Sequence, residues 1–332
     1  MKAGIVGMGS VGRATAIAAM QRGSAAELVL VNRHAELAQA VALDLSYGAP
    51  VSATCAVRAG GYADLAGAGI IVITAGVNEK HGGATDRSDP SGRLRLLQQN
   101  ADVMRAIVPA VIAAAPDALI LVATDPPDAL ADVTRSLAPK ANVLSTGTWL
   151  DSLRFRTHLA NAIGVNPRSV EADVLGEHGT SEVLHWSGAR VAGVPLSDLA
   201  AQRGIDPAQL RQRIESEVRF ANINIIDALG ASQYGIGIVT ARIIEAVLRD
   251  EKIVVPIGSY HAEHGVTFSL PGVLGAKGVE AVLTPRLDPQ EQEALVRSIA
   301  TLQQAQRSAQ GSTGSSAVKA ERPPEVVAAN PA

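Results

Sequence analysis

The sequence predicts an α/β protein: a doubly wound parallel sheet in the first half, followed by an α+β domain. Three observations carry this. Short apolar runs (Ala3-Gly-Ile-Val6, Glu27-Leu-Val-Leu-Val31, Ile70-Ile-Val-Ile-Thr74 and Leu119-Ile-Leu-Val122) alternate with longer segments of helical spacing, as strands covered on both faces by crossover helices require. A glycine pattern joins the first run to the first helical segment. After about residue 250 the rhythm changes to the closely spaced runs Ile253–Ile257, Gly265–Leu270 and Val279–Leu283, which suit antiparallel pairing.

Composition bounds the function. The 332 residues suffice for two domains, 47% are hydrophobic, and the formal net charge is -3. A large core is available, and without a basic block no nucleic-acid partner is expected. Aromatics are only 3%, so the core must be built from Ala, Val, Leu and Ile. Cys55 is the single cysteine. It excludes an internal disulfide and fits a reducing compartment. Apolar runs break well short of a membrane span, and Lys2 leads directly into a strand-like run, so no membrane partner, no signal peptide and a cytoplasmic location are expected. No His/Cys cluster suggests a metal.

The first run leads into Gly7-Met-Gly9-Ser10-Val11-Gly12 and a helical segment, Val11 to Arg22. This is G-x-G-x-x-G in its strand–turn–helix setting, the dinucleotide fingerprint of a Rossmann sheet. Gly7 permits the tight turn, Gly9 lets a pyrophosphate approach the backbone, Gly12 lets helix and strand pack, and the helix N-terminus attracts phosphate charge. The second run ends in Asn32-Arg33-His34, where an acidic residue normally binds the ribose hydroxyls. Loss of that carboxylate, with Arg33 able to pair with a 2′-phosphate, leans toward NADP over NAD. The alternative is that Asn32 bonds the ribose while Arg33 faces solvent.

Ala35 to Leu45 has helical spacing, and Val51 to Val57 reads as a strand. The Ile70–Thr74 run ends at Ala75-Gly76, at the strand C-terminal edge where open α/β sheets bind ligands. Thr74, Ala75, Gly76 and, after the next run, Thr124 are therefore cofactor-binding candidates. Asn78 to Ser91 is polar and rich in Gly and Asp. A loop this long is functional or disordered, and a lid is the functional reading. Gly92 then starts a helix carrying Arg93.

The second half contributes Asp151 and Arg154, three apart on one helix face, and His178 in Val174-Leu-Gly-Glu-His-Gly-Thr-Ser-Glu-Val183. A histidine titrates near neutrality and can move a proton. By themselves these are also readable as a surface ion pair and a solvated turn. Pro207–Leu229, Gly237–Arg249 and Gln290–Gln306 read as helices. Residues 309–332, poor in apolar groups, are expected to be a disordered tail.

Together, Gly147-Thr-Trp-Leu-Asp-Ser-Leu-Arg-Phe, Leu175-Gly-Glu-His-Gly-Thr-Ser-Glu-Val, Val191-Ala-Gly-Val-Pro-Leu196 and Gly230-Ala-Ser-Gln-Tyr-Gly-Ile resemble the lactate/malate dehydrogenase family, its L-lactate branch more closely. Order and spacing agree from Gly7 to about residue 305. The resemblance implies a Rossmann domain over residues 1–146, a substrate domain over 147–308, and a homodimer or homotetramer. It implies hydride transfer between a nicotinamide cofactor and a small 2-oxo or 2-hydroxy acid. His178 would be the proton donor backed by Asp151, Arg154 would orient the substrate carboxylate, and Arg93 would polarise the carbonyl. Arg93 precedes Asn100 at the family spacing; Arg87 is the fallback.

Departures from the family pattern shape the expected substrate. Asp125 stands where the family has asparagine. Ionised, it would repel the growing oxyanion, so it must turn away, be protonated, or bond another substrate group. Glu79 falls at the position that separates substrates, usually glutamine for lactate and arginine for malate. A carboxylate there disfavours oxaloacetate and suits a cationic side chain, unless it points to solvent. Ser232 sits where a substrate-lining threonine is common. The leading expectation is a dehydrogenase for a 2-oxo acid with a non-standard side chain. The alternatives are an ordinary L-lactate dehydrogenase and, in another class, a catalytically weakened dinucleotide-binding sensor.

Overall fold

The computed structural model describes residues 1–53, 55–82, 84–88 and 92–311. The first half alternates strand and helix: β1 (Lys2–Val6), α1 (Ser10–Arg22), β2 (Glu27–Val31), α2 (Ala35–Gly48), β3 (Ala56–Ala59), β4 (Ile70–Ile73), α3 (Leu97–Ala114), β5 (Leu119–Val122), α4 (Pro127–Leu137) and β6 (Val143–Ser145). The strands pair in parallel in the order β3-β2-β1-β4-β5-β6. The order reverses between β1 and β4, which opens a crevice beyond their C-terminal ends.

Packing explains the continuous apolar runs. Successive strand side chains point to opposite faces. In β4, Ile70 and Val72 join the cluster under α1, with Ala16, Ala19 and Met20, while Ile71 and Ile73 join the cluster under α3 and α4, with Met104, Val108 and Leu130. All four β4 side chains are fully buried, each worth about 1.5–3 kcal/mol of transfer free energy. These clusters are built almost wholly from Ala, Val, Leu, Ile and Met, as the aromatic scarcity requires.

The second half begins with α5 (Trp149–Ile163). Five short strands follow: β7 (Val170–Glu171), β8 (Val174–Leu175), β9 (Val183–Leu184), β10 (Arg190–Val191) and β11 (Val194–Pro195). Helices α6 (Leu196–Arg203), α7 (Pro207–Arg219), α8 (Ala221–Leu229) and α9 (Tyr234–Leu248) come next. Long strands β12 (Ile253–His261), β13 (Val266–Gly275) and β14 (Gly278–Val282) then precede α10 (Pro289–Gly311). The β12–β14 ribbon is antiparallel and joins the first-half sheet through β12 and β6, giving nine strands. Helix α9 lies on α1; a Cβ on Gly237 would stand 2.7 Å from the Ala14 backbone, so glycine permits the close approach.

Several expected boundaries move. The strand expected over Val51–Val57 starts only at Ala56, because Ala49–Val51 forms a 3₁₀ turn around Pro50. The helix expected over Pro207–Leu229 breaks at Phe220, which ends α7 and precedes α8. Arg93 lies in a 3₁₀ turn, Gly92–Leu96, before α3. The expected disordered tail begins too early, since α10 continues to Gly311 as its apolar side packs under β13; residues 312–332 lie outside the described residues. Among the described residues no helix is long and apolar enough to cross a membrane, and no cluster of His, Cys, Asp and Glu could hold a metal.

Candidate active site

The crevice at the reversal point begins with the glycine turn. Gly7 has φ +109°, and a Cβ there would lie 2.5 Å from the Ala75 nitrogen; one on Gly12 would lie 1.9 Å from the Gly7 carbonyl. Gly7 is closed to a side chain by the backbone after the fourth strand, and Gly12 by the turn that leads into its own helix. Gly9 is the opposite case: a Cβ there meets nothing within 4 Å. Open space therefore stands over Gly9, at the N-terminus of α1, where no side chain caps the first amides. Thr74 Oγ1 donates to the Gly7 carbonyl at 2.7 Å, and Thr124 Oγ1 to the Ala75 carbonyl at 2.9 Å, so both hydroxyls brace the turns.

From Gly9 one arm of the crevice, about 930 Å³, reaches Asn32 and Arg33. The other, about 880 Å³, passes Ser10, Val11 and Gly76 to His178. The two arms meeting at Gly9, the open space over it and the uncapped helix amides suit a dinucleotide with its pyrophosphate at α1. Asn32 is already engaged: its Oδ1 accepts from the Met8 amide at 3.1 Å and its Nδ2 donates to the His34 carbonyl at 3.1 Å. Arg33 is exposed.

At the other end, α5 presents Asp151 in its first turn and Arg154 one turn later. Asp151 Oδ1 accepts from Arg154 at 2.7 Å, and its Oδ2 meets His178 Nδ1 in a short hydrogen bond. This is a buried constellation rather than a surface ion pair. Burial alone would raise the Asp151 carboxyl, but His178, Arg154 and Arg93 outweigh it and hold it below the usual range. Arg93 Nη1 lies 2.7 Å from His178 Nε2. A guanidinium can only donate, so Nε2 accepts, Nδ1 carries the proton, and the imidazole is neutral. Burial, then Arg93, lowers its affinity for a second proton, with Asp151 opposing.

The His178 segment is held from three sides. The Asp128 carboxylate on α4 accepts from the His178 amide at 2.7 Å and from the Ser145 hydroxyl. Ser298 Oγ on α10 accepts from the Glu177 amide at 2.8 Å. Gly176, at φ +82°, leaves no room for a Cβ, which would fall 2.5 Å from that same Ser298 oxygen.

The opposite wall carries the departures. Asp125 follows β5, its side chain 21% exposed; Oδ2 lies 3.7 Å from Arg93 Nε and Oδ1 3.8 Å from His178 Nε2. Asp125 has not turned away. Glu79 lines the same end of the crevice. Enclosure first pushes the Asp125 carboxyl well above the usual range; Glu79 and Asp151 add to this, while Arg93 only partly opposes it. Ser232 also lines this end of the crevice. The fallback arginine is corrected: Arg87 donates to Asn224 and lies 3.9 Å from Asp227, both on α8, because the long loop folds across that helix. Gly83 and 89–91 of the expected lid lie outside the described residues.

Four further residues belong to the site although sequence reasoning gave them no role. Buried Asn100 accepts from the Val77 amide at 2.7 Å and donates to the carbonyls of Val77 at 3.1 Å and Asp125 at 2.6 Å, tying the two loops together. Its spacing from Arg93 was the available signal. Asp128 follows Asp125-Pro-Pro in sequence, without a pattern to mark it. Asn222 lines the crevice from α8. Glu182 is buried with one oxygen unbonded; burial, then the Asp151 charge, pushes it up to about 8.

Residues 1–144 match the family model for the lactate/malate dehydrogenase NAD-binding domain, and residues 148–311 match the model for the lactate/malate dehydrogenase alpha/beta C-terminal domain. The chain belongs to the lactate/malate dehydrogenase family. Its relatives include an L-lactate dehydrogenase of Deinococcus radiodurans, 44% identical over 91% of this chain and 97% of that one. Another is an L-lactate dehydrogenase of Thermus aquaticus, 45% identical over 90% and 96%. Among solved structures, a lactate dehydrogenase from a Medee basin deep-sea metagenome library superimposes with a TM-score of 0.85, at 31% identity over 93% of this chain and 98% of that one. The minor L-lactate dehydrogenase of Enterococcus mundtii gives the same score at 33% identity over 92% and 98%. As a lactate/malate dehydrogenase, the protein is a nicotinamide-dependent oxidoreductase of small 2-oxo and 2-hydroxy acids.

Proposed function

We propose that the protein interconverts pyruvate and L-lactate with NAD. The observation that carries the reading is His178, held between Asp151 and Arg93 with Arg154 beside them, at the end of a crevice that starts at the glycine turn. Residues 1–146 form the cofactor part and 147–308 the substrate part. Gly7, Gly9, Ser10, Val11 and Gly12 would hold the pyrophosphate, Asn32 and Arg33 would border the ribose, and Thr74, Ala75, Gly76 and Thr124 would flank the nicotinamide end. Bound there, the cofactor supplies or accepts the hydride at C2.

The rest is done by side chains. Arg154 grips the substrate carboxylate through the donors that Asp151 leaves free. His178 moves the proton: neutral at Nε2, it takes the hydroxyl proton of the hydroxy acid, and in the reverse direction it returns it. Asp151 fixes the Nδ1–H tautomer and stabilises the imidazolium. Arg93 and a proton cannot share Nε2. A substrate oxygen entering between them takes over the Arg93 donor, frees Nε2 for the proton, and gains a cation where negative charge develops.

Two features favour a small neutral side chain. The similar proteins include L-lactate dehydrogenases. Burial also holds the Asp125 carboxyl well above its ordinary range, and Arg93 faces Glu79, so little negative charge is left over for a cationic substrate. The presence of Glu79 in the pocket supports a second reading, a 2-oxo acid with a basic side chain. For the cofactor, exposed Arg33 and engaged Asn32 favour NAD over the NADP expected from sequence. Exposed Ile17, Tyr234 and Ile238 on α1 and α9 accord with a homodimer or homotetramer, and the chemistry with a cytoplasmic location.

The test is a cofactor-oxidation screen pairing NADH and NADPH with pyruvate, oxaloacetate and branched, aromatic and basic 2-oxo acids. The expected result is a clear NADH–pyruvate preference. A faster rate on a basic acid would establish the second reading. Cofactor binding without turnover on any acid would make the protein a dinucleotide-binding sensor.

A further inference from the structure

Asn222, in the first turn of α8, is only 5% exposed and lines the end of the crevice that holds Arg154 and His178. Among the described residues its side-chain amide has no hydrogen-bond partner. Buried amides are ordinarily paired, because leaving water without a partner costs free energy. Ser232, in the turn after α8, lines the same end, and its hydroxyl is also unpaired. The other groups there fix how a 2-oxo acid lies. Its C2 has three in-plane substituents: the carboxylate, the oxygen and C3. Arg154 takes the carboxylate, and His178 with Arg93 takes the oxygen. C3 is left to Glu79, Asn222, Ala231, Ser232 and Ile236. A bare methyl group there covers the Asn222 amide and gives it nothing, while shutting out water that could serve it. A hydroxyl on C3 both donates and accepts, as the amide does. An anionic substituent would meet the Glu79 carboxylate.

We propose that Asn222 is a specificity-determining residue whose amide hydrogen-bonds a hydroxyl on C3. The pocket then takes a 2-oxo acid with a hydroxymethyl side chain, 3-hydroxypyruvate being the simplest, at least as well as pyruvate. The reaction itself is unchanged. C2 gains the hydride, its oxygen gains the His178 proton, and the C3 hydroxyl keeps its own proton throughout. The product is the corresponding 2,3-dihydroxy acid, L-glycerate. Asn222 takes no part in proton transfer; it reads the third carbon.

This rests on the hydroxy-acid dehydrogenase reading, and the experiment separates the two. The quantity measured is kcat/KM for 3-hydroxypyruvate divided by kcat/KM for pyruvate, both with NADH. In the wild type the ratio is expected to be one or greater. Asn222→Leu keeps the volume of the side chain and removes its hydrogen bonds, and the ratio is expected to fall about tenfold. Asn222→Ala, which suits a helix well, is expected to lower it similarly. A fall in Asn222→Ala alone would mark a change of space, and overturns the proposal. So does an unchanged ratio in both variants. It would assign the amide to the substrate carboxylate or to the smaller cavity, about 390 Å³, that Asn222 also borders. The second readout needs no turnover: calorimetric affinities of L-glycerate and L-lactate for the NADH-bound protein. L-glycerate is expected to lose about tenfold relative to L-lactate in Asn222→Leu, and equal losses overturn the proposal. Absence of turnover on either 2-oxo acid overturns the dehydrogenase reading instead, and the two affinities still decide the role of Asn222. Absence of binding by either hydroxy acid overturns both.

Discussion

The two walls of the substrate pocket are built differently. On the His178 wall the polar groups are paired: Asp151 with His178 and Arg154, the His178 amide with Asp128, and the Glu177 amide with Ser298. Four elements, α4, α5, β8 and α10, fix one imidazole. On the loop wall Arg93 has an unbonded buried nitrogen, and the carboxyls of Asp125 and Glu79 line the same pocket. A wall whose groups around the imidazole are satisfied, with only one Glu182 oxygen unbonded, is rigid and costly to alter. A wall with unspent donors leaves groups for a ligand to satisfy. Proton transfer thus resides on the fixed wall, and the choice among substrates on the other.

The sharpest way to break this comparison is His178→Asn. The expected loss in kcat is about 10²–10⁴-fold, with NADH affinity by calorimetry unchanged; retained turnover would place the proton chemistry elsewhere. Next is Arg154→Lys. It removes a planar two-donor grip and one partner of Asp151, and the rise in KM for pyruvate is expected to be about 10–100-fold, equivalent to a charged hydrogen bond of about 1.5–3 kcal/mol.

Asn100→Ala tests whether the loop wall depends on one buried amide. It leaves the Val77 amide and the Val77 and Asp125 carbonyls without their partner, and a loss of about 1–3 kcal/mol in urea unfolding is expected. A smaller effect comes from Asp128, whose carboxyl burial pushes from its ordinary 3.8 to about 7. The fold holds that proton more tightly than the unfolded chain does. Its contribution to stability is therefore complete below pH 3.8 and is lost as pH rises through 7. Asp128→Asn cannot ionise, so the wild-type advantage over it should shrink across that window; a constant difference would show that Asp128 does not titrate there. The smallest change is expected for Arg33→Ala. If NAD is the cofactor, the KM for NADH moves by no more than about twofold, the scale of an exposed substitution.

Much of this was legible in the sequence because it rests on local chemistry. The β1 run, the glycine turn and α1 obey short-range rules, and the apolar strands announce burial on both faces. Asp151, Arg154 and His178 were found by motif, and the structure brings them together. The misses share a physical cause, since they depend on contacts between distant segments. Asn100 joins residues 77 and 125, Asp128 reaches 50 positions along the chain to the His178 amide, and no periodicity encodes either. Arg87 in the long loop and Arg93 in the turn after it are only six positions apart, and the fold of the loop across α8 separates them. The charge on Glu79 was read singly, whereas its meaning depends on Asp125 across the pocket.

The hydrogen bond from the Glu177 amide to Ser298 has a consequence for biosynthesis. The glycine turn and the first six strands leave the ribosome early, although α1 gains α9 and β6 gains β12 only later. The loop that bears His178 is completed only when α10, starting at Pro289, has been synthesised and has packed beneath β13. A nascent chain therefore acquires the means to bind its cofactor well before the means to use it, and catalytic competence arrives with the last helix.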